Sequence, residues 1–309
     1  MVLLAALVIN FAIPRLMPGN PVDILSGGVK LTREARQTII ERFGLDAPIW
    51  EQFWKYLLNA LQGDFGVSFF YYPQPVMEVM LEALPWSLLI LFTSLILQVL
   101  IGYYFGVLAA WKAGSKTDSL LQTVSLFVFS TPLFWVAMVL LYVFGYQLGW
   151  FPLSGAYTIG AFWDSPVDRV LDIIHHAALP IISLTIAQYA SYQLILRNNM
   201  VSVLKEQYII TAEAKGLSKR RIKHAHAARN ALLPMVTFLS LSFAISLGGS
   251  VFIETVFSYP GIGKLIYDSV ISRDYPLLQG CFFLFSVVVI IANLAVDILY
   301  KYLDPRITY

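Results

Sequence analysis

Few residues that could carry out chemistry stand in a catalytic or metal-binding pattern. Two histidines are adjacent, His175 and His176, and two alternate, His224 and His226. In a helix, residues at either spacing point to different faces, and no acidic or cysteine partner completes a metal site. The single cysteine, Cys281, lies in an apolar run and has no disulfide partner within the chain. All five side chains are therefore expected to be structural.

The segment YPGIGKLIYD resembles a phosphate-binding loop only superficially. Lys264 follows a glycine, but Leu265 stands where the P-loop pattern requires Ser or Thr, and the spacing to a preceding glycine does not match. Nucleophile-elbow and HExxH patterns are absent from the sequence. We therefore predict that this chain is not an enzyme and has no ATP site or bound cofactor of its own.

The densest charge lies in TAEAKGLSKRRIKHAHAARN, residues Thr211–Asn230. Eight of the 21 basic residues fall between positions 197 and 229: Arg197, Lys205, Lys215, Lys219, Arg220, Arg221, Lys223 and Arg229. Small side chains at Thr211, Ala212 and Ala214 would let a partner approach closely, and Gly216 allows a turn that a β-carbon would hinder. Charge alone leaves two readings open, a loop retained by membrane topology and a docking site for a partner.

The composition indicates that the surrounding elements lie in a bilayer. Apolar residues make up 58% and charged residues 13%, against roughly 45 to 50% and about 25% in soluble domains. Six apolar stretches approach the roughly 20 residues that a membrane helix needs. They are Met1–Met17, Leu84–Trp111, Ser119–Leu148, Ala177–Leu196, Met235–Ile253 and Leu278–Tyr300. The first lacks the basic start and cleavage site of a signal peptide, so we predict a spanning helix whose start lacks a few residues.

The basic residues predict the orientation of these spans. With six spans, 12 of the 21 lysines and arginines fall on the side that holds both termini. Six of the other nine lie in one segment of roughly 70 residues, a length that translocates largely regardless of charge. Both termini and the loop at 197–234 are therefore predicted to be cytoplasmic. Pro132 is expected to kink the third span.

The long segment between the first two spans carries helix signals. Thr32 is a candidate N-cap for a helix through Phe43, and Asp46 with Pro48 begins a second helix. Trp50, Trp54, Leu57, Leu58 and Leu61 share a face of that second helix. We expect both helices to be amphipathic and to lie against the protein's own spans or the membrane surface, with the former favoured.

Charged residues are scarce inside the spans. Asp297 and Glu254 both lie near span ends, whereas a secondary transporter is expected to hold acidic residues near the midplane. An intramembrane enzyme would need a polar catalytic pair in adjacent spans, which we do not find. In the basic loop, Met200–Gly216 and Ser218–Leu232 are each predicted to form a helix. The first would present Val201, Leu204, Tyr208 and Ala212 on one face.

Eight stretches, in order along nearly the whole chain, resemble a known family. They are MPGNPVD (17–23), ERFGLDAP (41–48), GDFGVS (63–68), TAEAKGLSKRRI (211–222), ARNALLP (228–234), LGGSVFIETVFSYPGIG (247–263), RDYPLLQG (273–280) and NLAVDILYKYLDPRI (293–307). They are similar to the membrane subunits of binding-protein-dependent ABC importers, and more closely to dipeptide and oligopeptide permeases. The family's leading glutamate is absent, because Ile210 occupies that position counting back from Gly216.

The resemblance implies an all-α integral membrane protein of the type I ABC importer permease fold, with six transmembrane helices. Residues 1–83 would hold the first span and an extracytoplasmic helical segment, and residues 84–309 the transmembrane core with the coupling loop 197–234. The implied partners are a second homologous permease, two cytoplasmic ATPase subunits that use ATP and Mg²⁺, and an extracytoplasmic binding protein. The implied coupling residues are Thr211, Ala212, Glu213, Ala214, Lys215, Gly216 and Arg220. The substrate class stays open among peptides, oligosaccharides, nickel and other solutes.

Overall fold

The computed structural model of this chain describes residues 5, 7–12, 32–43 and 46–303, and these residues are mostly helical. The only β-type pairing among them is an isolated bridge between Val67 and Pro75. The first span predicted from the sequence, Met1–Met17, lies mostly outside the described residues, as does the MPGNPVD stretch. The described part of that span, residues 7–12, is helical.

Two short helices precede the long ones. Helix α1 spans Arg33–Phe43, and the Thr32 hydroxyl accepts a hydrogen bond from the backbone N–H of Ala35 at 3.2 Å, as an N-cap does. Helix α2 spans Ile49–Leu61 with Pro48 at its N-cap. The start signals read from the sequence are thus confirmed at both helices.

Among the residues that the structure describes, four helices are long and apolar enough to cross a membrane. They are α3 (Val76–Trp111), α6 (Pro166–Val203), α9 (Leu233–Val256) and α11 (Tyr275–Leu303). Each contains a predicted span and extends beyond it, because polar and amphipathic flanks continue the helix past its apolar run. Residues 46–303 therefore form a multi-pass membrane fold, while the count of six spans stays a prediction.

The third predicted span is broken rather than kinked. Helix α4 (Lys116–Ser130) and helix α5 (Leu133–Leu140, continued by π-helical turns over Leu141–Gln147) meet at an angle of 98°. Thr131, the residue before Pro132, has ψ 129°, as the proline ring imposes on its predecessor. The hydroxyls of Ser130 and Thr131 donate to the backbone carbonyls of Leu126 and Phe127, each at 2.8 Å. The break therefore leaves these carbonyls paired.

The chain forms two compact units, and residues 1–88 with 258–290 form the first. Within it, α10 (Ile262–Ser272) precedes α11, and the buried carboxylate of Asp274 begins α11 by accepting from the backbone N–H of Leu277. The same carboxylate accepts from the Ser68 hydroxyl and from the backbone N–H of Phe70. Asp274 thus anchors the segment before α3 to the start of α11.

Residues 89–257 with 291–309 form the second unit. Its core contains Val107, Tyr192, Leu196, Met200, Ile209, Ala212, Ile222 and Met235. Helices α3 and α6 approach closely at Gly102, where an added Cβ would lie 2.4 Å from the Cβ of Tyr192. This unit holds the whole of the basic loop.

Candidate functional site

The centre of the basic loop is a short helix, α7, over Gln207–Ala214. Its C-terminal end is a Schellman motif: the N–H of Gly216 donates to the carbonyl of Glu213 at 2.9 Å, and the N–H of Leu217 to that of Ala212 at 3.3 Å. Gly216 has φ +73°, and no atom lies within 4 Å of where its Cβ would stand. Glycine is therefore favoured here by the backbone conformation and not by lack of space.

Helix α7 has one buried face and one exposed face. Ile209 and Ala212 are buried in the core of the second unit, and Leu217 packs against the same cluster. The exposed residues include Ile210, Thr211, Glu213, Ala214 and Lys215. Of the implied coupling residues in α7 and its C-terminal turn, only Ala212 faces the core. The helix therefore packs on the second unit through its buried face and leaves its outer face accessible.

The predicted single helix over Met200–Gly216 is wrong. Helix α6 ends at Val203, and the chain turns before α7, with the N–H of Glu206 donating to the carbonyl of Val203 at 3.0 Å. The turn changes the helical register, so Tyr208 and Ala212, predicted on one face, are separated: Tyr208 is 41% exposed, whereas Ala212 is buried together with Ile209.

Arg220 lies on the next helical segment, α8, which comprises Lys219–Arg221, the π-helical turns Ile222–Ala228 and Arg229–Ala231. With Ser218, Arg221, His224 and Ala225 it lines an open groove of about 430 Å³. Burial, with the nearby cations Lys223 and Arg220, lowers the pKa of His224 and so favours the neutral form of its imidazole. Its Nδ1 lies 3.0 Å from the Tyr103 hydroxyl. The groove is basic and suits an acidic or polar partner surface.

Two side-chain contacts connect this loop to its surroundings. The Asn230 amide on α8 donates to the Tyr208 hydroxyl on α7 at 2.8 Å. At the end of α6, Arg197 makes a bidentate ion pair with Asp118, with Nε and Nη2 at 3.1 and 2.7 Å from the carboxylate oxygens. Asp118 is 2% exposed and also accepts from the backbone N–H of Gly114 at 2.9 Å. The loop is therefore tied to the α3–α4 connection.

Sequence reasoning missed this ion pair. Arg197 was counted among the basic loop residues, but 79 positions separate it from Asp118 and no local pattern joins the two. The only available signal was that both charges flank spans on the same predicted side of the membrane. Buried Asp and Arg are rare unless paired, so either residue would have suggested a partner had its burial been known.

The remaining chemical candidates have structural surroundings. His175 Nε2 lies 2.7 Å from the Trp150 carbonyl oxygen, and His176 Nδ1 lies 2.9 Å from that of Asp172. Cys281 is buried. These contacts satisfy the rings and give no geometry suited to catalysis.

Comparison with known proteins bears directly on this loop, because the matched region contains it. The family model described as "Binding-protein-dependent transport system inner membrane component" matches residues 102–309. The chain is 38% identical to the oligopeptide transport system permease protein AppB of Bacillus subtilis, a match that covers 100% of this chain and 96% of that protein. It is 36% identical to the di/tripeptide transport system permease protein DppB of Pseudomonas aeruginosa, covering 97% and 93%.

A third relative is the glutathione transport system permease protein GsiC of Escherichia coli K12, 36% identical and covering 98% of this chain and 93% of that one. A solved structure, an inward-facing conformation of the MetNI methionine ABC transporter, matches with a TM-score of 0.60 at 16% identity over 74% of this chain and 97% of that chain. That likeness confirms the type I ABC permease fold expected from the sequence. The chain belongs to the family of binding-protein-dependent transport system inner membrane components.

Proposed function

We propose that this chain is the permease subunit of an ATP-driven importer and forms half of a translocation pathway for di- and oligopeptides delivered by a binding protein. The observation that carries the proposal is full-length similarity to proteins named as oligopeptide and di/tripeptide permeases. The exposed helix α7 supports it, since a permease without a motor needs an accessible surface on which the motor can act.

The proposed assembly contains a second homologous permease, two cytoplasmic ATPase subunits and an extracytoplasmic binding protein. The family description, which names both a binding protein and an inner membrane, supports part of this set. In the assembly, ATP and Mg²⁺ act in the ATPase subunits. Both termini and the loop at 197–234 lie in the cytoplasm, as the distribution of lysine and arginine favours.

The proposed docking element for an ATPase subunit is α7 with its C-terminal turn, residues Thr211–Gly216, flanked by Arg220. Ile210 and Ala214 lie one turn apart on α7 and are both exposed, so they form a small apolar stripe. Lys215 and Arg220 add positive charge beside it. An apolar centre with a charged rim is typical of protein–protein interfaces.

Force applied to this element would reach the spans through packed contacts. The inner face of α7 rests on the core that α3 and α6 share, and the Asp118–Arg197 pair joins the end of α6 to the loop after α3. When ATP draws the two ATPase subunits together, each docked α7 would move as a rigid body with these helices. Hydrolysis would then release the closed ATPase pair and return the spans to the inward-facing state.

The test is reconstitution of the chain with its partner permease, ATPase subunits and binding protein in lipid vesicles, followed by measurement of labelled di- and oligopeptide uptake. The proposal expects uptake that needs both ATP and the binding protein. Uptake by the purified chain without ATP would instead show a secondary transporter or channel. If the binding protein takes an oligosaccharide or nickel and no peptide, the substrate assignment is wrong, although the importer mechanism stands.

A further inference from the structure

Helix α2 carries an apolar stripe that no described part of the protein covers. Trp50, Trp54, Leu58 and Leu61 are spaced by four, four and three residues, so they line one side of the helix. Each is between 55% and 62% exposed. An exposed row of two tryptophans and two leucines is unusual on a surface in contact with water.

The stripe is half of a wider apolar surface. The neighbouring face of α2 packs inside the first unit, where the rings of Phe53 and Tyr56 lie 5.2 and 5.7 Å from the ring of Phe11. The remaining face is polar and includes Glu51 and Lys55. The protein therefore covers the side of α2 that carries Phe53 and Tyr56. The stripe, which lies between that side and the polar face, is exposed.

Contacts within the first unit give the depth of α2 relative to the spans. Phe11, on which α2 packs, follows Asn10, whose carbonyl accepts a hydrogen bond from Gln279 in the first turns of α11 at 2.8 Å. Just after α2, the ring of Phe65 packs at a tilt against that of Phe283 near the same end of α11, with ring centroids 5.2 Å apart. Helix α2 thus lies level with the end of a membrane helix, where hydrocarbon meets headgroups.

We propose that α2 is an interfacial helix, with Trp50, Trp54, Leu58 and Leu61 inserted at the boundary between lipid headgroups and acyl chains. Tryptophan is enriched at this depth because its ring is apolar and its N–H is polar. The helix of residues 7–12 that α2 packs against also exposes Val8 and Ile9, so the stripe is not the only exposed apolar surface in this part of the first unit. The occupant is lipid, and the inference needs only the membrane location of the chain, not its substrate.

One residue on each of two faces of α2 allows a sharp test. Leu61 belongs to the stripe, and Lys55 lies on the polar face, about 120° around the helix from Leu61. Each is replaced by cysteine in a Cys281→Ser background of the full chain, spin-labelled, and reconstituted in vesicles of phosphatidylethanolamine and phosphatidylglycerol. Collision with dissolved oxygen and with a water-soluble nickel chelate is then measured by electron paramagnetic resonance.

The proposal expects the Leu61→Cys label to collide severalfold more with oxygen than with nickel, and the Lys55→Cys label to show the reverse. Nickel dominating at both positions would overturn it and leave the stripe in water, open to a soluble partner. If neither oxygen nor the nickel chelate reaches the Leu61→Cys label, the proposal is wrong and another protein subunit covers the stripe. A second experiment needs no cysteine substitution. Lipids brominated near the acyl-chain carbonyl should quench the tryptophan fluorescence of the wild-type chain more than that of a Trp50→Phe, Trp54→Phe variant. Equal quenching of the two proteins would also refute the proposal.

Discussion

The backbone at Gly216 offers a perturbation whose size follows from the structure. Its φ of +73° lies in the left-handed region, and open space surrounds the position of a Cβ. A side chain at this position would therefore meet no neighbour, so its effect is confined to backbone conformation. Valine is expected to oppose the Schellman turn that ends α7, whereas asparagine, which tolerates left-handed φ, is expected to keep it.

The left-handed conformation costs a residue with a β-carbon about 1 to 2 kcal/mol. That free energy changes the ratio of formed to unformed turn by a factor of about 5 to 30. Since the turn fixes the exposed end of the proposed docking element, Gly216→Val should lower the ratio of loops in docking geometry to loops outside it by a similar factor. Gly216→Asn should remain close to wild type.

The assay is co-purification of the ATPase subunits with the permease, combined with ATPase activity stimulated by the binding protein in vesicles. Gly160→Val is the matched control, because Gly160 also has a left-handed φ of +77° with nothing within 4 Å of its Cβ position, but lies outside the proposed docking element. We expect weaker ATPase association only for Gly216→Val. Equal association in the Val and Asn variants would show that this turn does not determine docking.

Three further predictions test the surroundings of the loop and the fold. Asp118→Asn should destabilise the protein by about 3 kcal/mol, because it leaves Arg197 largely buried without its charge partner. The loss is measured as a lower melting temperature in detergent. A double variant with Asp118→Leu and Arg197→Met should recover part of that loss. Thr32→Ala should remove the N-cap of α1 and lower the stability of that helix by about 1 kcal/mol. Hydrogen exchange at the Ala35 amide should then become faster. Unchanged exchange would show that the cap does not stabilise the helix. His224 has a lowered pKa in the folded chain, so its contribution to stability is present above the unfolded pKa of about 6.5 and is lost as pH falls through the lowered value. His224→Gln should flatten the dependence of melting temperature on pH in that range, and an unchanged profile would contradict this.

The elements that the sequence predicted well are those set by local patterns. Apolar runs of span length mark α3, α6, α9 and α11, because a bilayer leaves the backbone few alternatives to a helix. Thr32 and Pro48 mark helix starts because their effect on the backbone acts within one turn. Gly216 was similarly recognisable as a turn before its φ was known.

The features that the sequence left hidden depend on contacts between distant residues. Tyr208 fits the apolar stripe of a continuous helix, but the turn after Val203 buries Ile209 instead, because the core of the second unit selects the register. Pro132 predicted a kink, yet the helices meet at 98°, an angle that neighbouring packing and not the proline alone determines. The Asp118–Arg197 pair could be found only once both ends were placed together.

The departure at Ile210 also changes what the docking surface can be. Where the general importer signature that the loop resembles begins with a glutamate, this chain exposes an isoleucine, 50% accessible to solvent and one turn before the exposed Ala214. A carboxylate there could pair with a cation on the ATPase subunit, whereas an isoleucine gains free energy only if an apolar surface covers it. A cation opposite Ile210 would lose its hydration without gaining a partner. An ATPase subunit that docks on α7 as proposed should therefore present an apolar pocket at that point, and its acidic groups should instead face Lys215 and the groove at Arg220.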